Sequence, residues 1–134
     1  MSRIVLDASA LLAVLNQEPG AENLPPERLA QATISTVNLA EAHSKLVREG
    51  VDPDEAWEDV MSPIQECAPF TAEQAKIAGS LAAQTRSLGL SLGDRACLAL
   101  GLALKAPVYT TDRAWKSLKL ESAFTSSGSG EAVQ

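Results

Sequence analysis

The 134-residue chain is poor in several residue types. It has one histidine, two cysteines and five aromatic residues, and its 11 Lys and Arg are outnumbered by 17 Asp and Glu, for a net charge of −6. Cys67 and Cys97 show no paired metal-ligand spacing and are expected to be reduced, partly buried thiols of a cytoplasmic protein. The lone histidine, His43, reads as a helix-surface or packing residue. No segment approaches the roughly 20 consecutive apolar residues that cross a bilayer. Met1-Ser2-Arg3 runs straight into a strand-like stretch, without the apolar region and cleavage site of a secretory signal. Scarce aromatics leave the core to Leu, Ala, Val and Ile, which favours closely packed helices. The hydrophobic fraction of 46% suits a globular protein, and the length suits a single domain.

The acidic total argues against a nucleic-acid partner, since such proteins usually carry a basic footprint. Its distribution reads differently. From Arg86 to Lys119 there are six basic residues (Arg86, Arg95, Lys105, Arg113, Lys116, Lys119) against two acids, Asp94 and Asp112, so this window carries +4 and the rest −10. A basic half that still holds two carboxylates suits a phosphodiester lying over a metal site. A solvated helix face would carry the same charges.

Local patterns predict alternating short strands and helices. Arg3 to Leu6 is an apolar, β-branched run that stops at Asp7 and reads as a buried strand. Ala8 to Asn16 is helical, closed by Pro19-Gly20, and a second helical stretch covers Glu22 to Gln31 with Pro25-Pro26 at a boundary or first turn. Ala32 to Ile34 is the second strand. Ser35 caps a helix from Val37 to Glu49, with Gly50 as its stop. Asp52-Pro53 opens a helix to Met61, and Ile64 to Cys67 is a short third strand. Thr71 starts a long helix to about Leu88, stopped by Gly89. Ser91 caps the helix from Gly93 to Lys105, Val108 to Thr110 is the last clear strand, and a short helix follows from Arg113. The Ser/Gly-rich residues 125–134 read as a disordered tail, leaving one domain over residues 1–124. Alternation of this kind implies a mainly parallel sheet of four to five strands with helices on both faces, a three-layer α/β/α sandwich.

Four acids stand out against this frame: Asp7, Glu41, Asp94 and Asp112. Ligands of open parallel sheets bind outside the carboxyl ends of the strands. Asp7 ends the first strand, Asp112 lies two residues beyond Thr110 in the last, Glu41 sits almost two turns into the helix after the second strand, and Asp94 is at the start of a helix. Carboxylates crowded together raise one another's proton affinity, and a divalent cation relieves the repulsion. An oxygen-only set suits Mg²⁺ or Mn²⁺ rather than zinc. Such a site suits phosphodiester hydrolysis, in which a bound dication lowers the pKa of an attacking water. Each acid also has a plainer explanation. Asp7 and Asp112 are good helix caps, Asp94 completes a capping box with Ser91, and Glu41 shares a polar helix stripe with Asn38, Lys45 and Arg48. The joint pattern carries more than any single acid.

At four segments the chain resembles a PIN domain, and more closely the VapC-type toxins of type II toxin–antitoxin systems. The segments are Ile4-Val5-Leu6-Asp7-Ala8-Ser9-Ala10-Leu11-Leu12-Ala13, Ile34 to Glu41, Leu90 to Ala99, and Val108-Tyr109-Thr110-Thr111-Asp112-Arg113-Ala114-Trp115. They follow the family's order and span residues 4–115. The resemblance implies a metal-dependent endoribonuclease whose catalytic, Mg²⁺- or Mn²⁺-binding acids are Asp7, Glu41, Asp94 and Asp112. Ser9 and Thr110 stand where the family often has hydroxyls near the site, and Asn38 where it has a polar supporting residue. Arg95 and Arg113 each follow a site acid, placed either to touch phosphates or to form orienting salt bridges.

The resemblance further implies an RNA substrate, a cognate antitoxin whose C-terminal segment covers the groove with an arginine against the carboxylates, and a homodimer. The family commonly closes its sheet with a strand after the last acid. Here Leu120 to Phe124 leads into Ser126-Ser127-Gly128-Ser129-Gly130, so that strand is expected to be short or absent. Two rivals remain. A phosphatase of the haloacid-dehalogenase type wants Asp where Ser9 stands, and a response-regulator receiver wants Lys where Asp112 stands. A catalytically inert PIN-like binding module would use the same acids to hold a partner's arginine.

Overall fold

A computed structural model of the protein describes residues 3–112, 124–126 and 131–133. The first apolar run forms β1 (Ile4–Leu6), which is fully enclosed. It lies in the middle of the sheet, paired in parallel with β2 (Ala32–Ser35) on one side and β4 (Val108–Thr110) on the other. β3 (Glu66–Ala68) adds in parallel outside β2, β5 (Phe124–Ser126) in parallel outside β4, and β6 (Glu131–Val133) antiparallel outside β5. The strand order is β3-β2-β1-β4-β5-β6. Six strands exceed the four to five expected, and residues 125–126 and 131–133, expected in a tail, are strands. β5 pairs with the outer edge of β4, whose N–H and C=O groups would otherwise lack a ladder partner.

Helices α1 (Ala8–Asn16), α2 (Pro26–Leu29), α3 (Thr36–Arg48) and α4 (Pro53–Met61) connect the early strands. Helices α5 (Ala72–Ser80), α6 (Ala82–Thr85) and α7 (Leu92–Leu104) precede β4. Side chains alternate across β1. Val5 joins Leu98, Leu100 and Val108 on the α7 face, while Ile4 and Leu6 join Ala10, Leu24 and Tyr109 on the α1 face. Ile34 packs with Leu11, Leu39 and Val60 from α1, α3 and α4. Leu6, Leu11, Ile34 and Leu98 are among the largest fully enclosed side chains, each contributing about 2 kcal/mol on area grounds.

Local chemistry explains most boundaries. Ser35, Asp52, Thr71 and Ser91 each cap a helix through a side-chain oxygen that accepts a backbone N–H. Gly89 stops the segment before it at φ 68°. The long helix expected over residues 71–88 is broken. It ends at Ser80, resumes as α6, and tightens to a 3₁₀ turn over Arg86–Leu88. Ser80 Oγ donates to the Lys76 carbonyl and Thr85 Oγ1 to the Leu81 carbonyl, and hydroxyls that bond back to the preceding turn bend helices.

Both cysteines are free thiols. Cys97 is buried, but Cys67, expected to be partly buried, is exposed because β3 is an edge strand. His43 packs edge-on against Trp57, with 5.6 Å between ring centroids, and its Nε2 lies 2.9 Å from the Pro53 carbonyl. Among the described residues no helix is long and apolar enough to cross a membrane. The helix expected from Arg113 lies outside the described residues.

Candidate active site

Because β1, β2 and β4 are parallel, their carboxyl ends share one edge of the sheet. Asp7 follows β1 directly and is the N-cap of α1. Its Oδ1 accepts from Ala10 N at 2.8 Å and from Ser9 Oγ at 2.7 Å, and its Oδ2 accepts from Thr110 Oγ1 at 2.5 Å. The capping role weighed from sequence is therefore real. Yet Asp7 is only 4% exposed, an expensive place for a full charge. Burial pushes its pKa from 3.8 up to about 6, opposed by the three hydrogen bonds and reinforced by the charge of Asp94.

Glu41 projects from α3 across the first turn of α7. Asn38, one turn earlier on α3 and buried, donates from Nδ2 to Glu41 Oε1 at 2.9 Å and to the Gly93 carbonyl at 3.0 Å. Asp94 occupies the third position of α7, where its Oδ2 accepts from Ser91 N at 2.9 Å and Ser91 Oγ accepts from Asp94 N at 3.1 Å. That is the capping box expected from the sequence. Cys97, one turn further along α7, lies beneath these acids. Burial raises its thiol pKa well above the usual value, and Asp7, Asp94 and Glu41 all push it further. Three carboxylates from distant segments thus converge around one helix N-terminus.

Asp112 is exposed at the same edge, and its backbone N–H donates to Thr110 Oγ1 at 3.0 Å. Ser9 Oγ also lies 3.2 Å from Thr110 Oγ1 and accepts from Thr111 N at 3.0 Å. Ser9 and Thr110 therefore form one hydroxyl pair that holds Asp7 and the chain leading to Asp112. Arg95 does not join the acids. Its Nη1 donates to the Ala78 carbonyl of α5 at 3.0 Å, because one residue beyond Asp94 the side chain has rotated about 100° around the helix. Arg113 lies outside the described residues.

Of the six basic residues in the window from Arg86 to Lys119, Arg113, Lys116 and Lys119 lie outside the described residues, and the other three point or sit elsewhere. Lys105 closes the far end of α7, roughly 16 Å along the helix from Asp94, and Arg86 is on the turn after α6. Arg48, from the other half of the chain, is better placed. It lies in an open groove of about 630 Å³ along α3 that also takes in Thr36, Val37, Ala40, Glu41 and Ser44.

The donor set suits a hard cation: every acid offers oxygen, and Asp7 is buried at the cost of its charge. Asn38 Oδ1 is buried with no hydrogen-bond partner among the described groups, a further polar oxygen beside Glu41. Among the described residues no three His, Cys, Asp or Glu side chains form a ready-made metal cage. Glu41 is the adjustable member, exposed on a flexible stem.

An α/β sheet with acids gathered outside its carboxyl edge defines the class, and the chain belongs to the PIN-domain family, whose profile matches residues 4–120. Three solved structures share its fold. VapBC2 from Rickettsia felis, solved on a DNA fragment from its promoter, is 21% identical with a TM-score of 0.64, over 84% of this chain and 90% of that one. A toxin–antitoxin complex from Klebsiella pneumoniae is 15% identical with a TM-score of 0.63, over 86% and 92%. VapBC-5 from Mycobacterium tuberculosis, a member of the VapBC toxin–antitoxin family, is 19% identical with a TM-score of 0.60, over 93% and 98%. At these identities the likeness is one of fold. No curated protein matches the chain by sequence at a significant level.

Proposed function

We propose that the chain is a Mg²⁺- or Mn²⁺-dependent endoribonuclease that acts in the cytoplasm as the toxin of a toxin–antitoxin pair. One observation carries this reading: Glu41 rests against the first turn of α7, the turn that holds Asp94, while Asp7 ends β1 at the carboxyl edge of the sheet. Asp112, at the same edge, is the fourth acid of the proposed set. When bound, the cation lowers the pKa of an attacking water and steadies charge building on the phosphate. Asp7, fixed by Ser9, Thr110 and Ala10, presents an oriented carboxylate that costs little reorganisation. Asn38 holds the Glu41 carboxylate over α7. Arg48, at the far end of the α3 groove, is placed to pair with a backbone phosphate of RNA.

The structural likeness to toxin–antitoxin complexes supports an antitoxin partner, whose guanidinium would take the place of the cation among the acids. A homodimer of the toxin is part of the same proposal, and light scattering of the purified chain checks it.

The test is cleavage of a mixed RNA pool by the purified chain with Mg²⁺, with Mn²⁺ and with EDTA, alongside Asp94→Asn. Cleavage that requires the cation and Asp94 supports the proposal. Cleavage indifferent to chelation overturns the metal assignment. A second reading, an inert binding module, is favoured by Asp94's capping role and by the missing ready-made cage among the described residues. An intact chain that takes up no metal, cuts nothing, yet binds an arginine-bearing partner peptide would select it.

A further inference from the structure

We propose that Gly93 is a positioning residue for Glu41: its missing Cβ leaves the seat in which the Glu41 carboxylate lies against the first turn of α7. The inference rests on Glu41 being a metal-site acid. A Cβ built on Gly93 would stand 2.3 Å from Glu41 Oε2, 2.5 Å from Oε1 and 2.5 Å from Cδ. All three nearest atoms belong to that one carboxylate. The backbone at this position does not itself call for glycine, since the positive-φ glycines are Gly20, Gly50 and Gly89. Glycine inside a helix weakens it relative to alanine, so α7 gives up helix stability here in return for space.

The other helical glycines have different explanations. Gly101 makes room for β4, because its Cβ would meet Val108 Cγ2 at 2.5 Å and the Ala106 carbonyl at 3.3 Å, whereas Gly79 faces open space. At Gly93 the space is taken by a functional side chain, and Asn38 closes the seat. Its Nδ2 bridges Glu41 Oε1 and the Gly93 carbonyl, fixing the acid and the helix turn to each other. Both partners are acceptors, which orients the amide with nitrogen toward them. Glu41 is exposed on a flexible stem, so an added methyl displaces the carboxylate toward solvent without disturbing the core. The seat sets where Glu41 stands relative to Asp94 and Asp7.

The test compares wild type, Gly93→Ala, Glu41→Ala and the double variant, with Gly79→Ala as the control for helix propensity. Calorimetric Mn²⁺ affinity and melting temperature in EDTA are the readouts. Gly93→Ala is expected to melt no lower than wild type in EDTA yet bind Mn²⁺ about tenfold more weakly, the scale seen when a group orienting a ligand is lost. In the Glu41→Ala background the same substitution should leave Mn²⁺ affinity unchanged and raise the melting temperature by about 3 °C. Gly79→Ala should leave Mn²⁺ affinity at the wild-type value. Undiminished Mn²⁺ affinity in Gly93→Ala, or an equal drop in both backgrounds, overturns the inference. If wild type takes up no Mn²⁺, the metal reading fails, and melting in EDTA still decides the seat. A larger gain from Gly93→Ala without Glu41 than with it upholds the seat; equal gains remove it.

Discussion

Thr110 Oγ1 lies 2.5 Å from Asp7 Oδ2, so a hydroxyl at the end of β4 holds a buried carboxylate at the end of β1. The same hydroxyl oxygen accepts from Asp112 N at 3.0 Å. One side chain therefore links Asp7, the first acid of the proposed set, to the backbone of Asp112, the last, across two neighbouring strands.

Thr110→Val keeps the shape and removes that link. Hydrogen bonds to charged groups contribute about 2 kcal/mol, so the variant should lose stability of that order at pH 8, where Asp7 is ionised. At pH 5, where Asp7 carries a proton, the loss should be smaller. Urea unfolding in EDTA at the two pH values measures both. An equal loss at each would show that the hydroxyl does not serve the ionised form.

Asp7 makes stability depend on pH. Its folded pKa is raised from 3.8 to about 6, so between those values the folded chain keeps a proton that the unfolded chain has released. Stability from this group therefore falls as pH rises through that window, by roughly 3 kcal/mol in all. Asp7→Asn retains an oxygen for the α1 cap and cannot ionise. Unfolding free energies from pH 4 to 8 in EDTA should decline in wild type relative to Asp7→Asn. Parallel curves for the two proteins would remove the buried charge as the cause.

Substitution can separate the capping role of Asp94 from its proposed role at the metal. Asp94→Asn keeps a carbonyl oxygen for Ser91 N and loses the negative charge favoured at a helix N-terminus, about 0.5 kcal/mol. RNA cleavage should disappear while melting changes by no more than a few degrees. Asp94→Ala should lose a further ~1 kcal/mol with the cap. If Asn were as destabilising as Ala, the carboxylate would be chiefly structural.

Gly101→Ala tests packing away from the chemistry. Its methyl would press on Val108 Cγ2, in a buried contact between α7 and β4. Overpacking of this kind costs typically 1–3 kcal/mol. Calorimetric melting of the variant should show the loss. A stability at or above wild type would mean that α7 slides to make room.

Much of the frame is legible in the residues. The apolar runs at Ile4, Ala32 and Val108, and the caps Ser35, Asp52, Thr71 and Ser91, announce themselves by pattern and by side-chain chemistry. Parallel pairing then brings Asp7 and Asp112 to one edge. What escapes the sequence depends on contacts between distant segments. That Glu41 rests on Gly93 requires the packing of α3 against α7, and a glycine in a helix start reads locally only as a weak helix former. Arg95 follows a site acid in sequence but points to Ala78, because neighbouring helical positions face different ways. The break at Leu81 falls in a run that local propensity favours as one helix, and the hydroxyls of Ser80 and Thr85 become informative only once their carbonyl partners are known. The outer strands are obscured by the Ser/Gly run between them, which carries no alternation and makes the whole stretch read as a tail.

The central place of β1 has a consequence during synthesis. Its second neighbour, β4, begins at Val108, so a chain still being translated holds its first strand with one flank open until about a hundred further residues have been made. Until then Asp7 lacks the Thr110 hydroxyl. A nascent or prematurely released fragment that stops short of β4 would carry Asp7, Glu41 and Asp94 without the hydroxyl that orients the first of them.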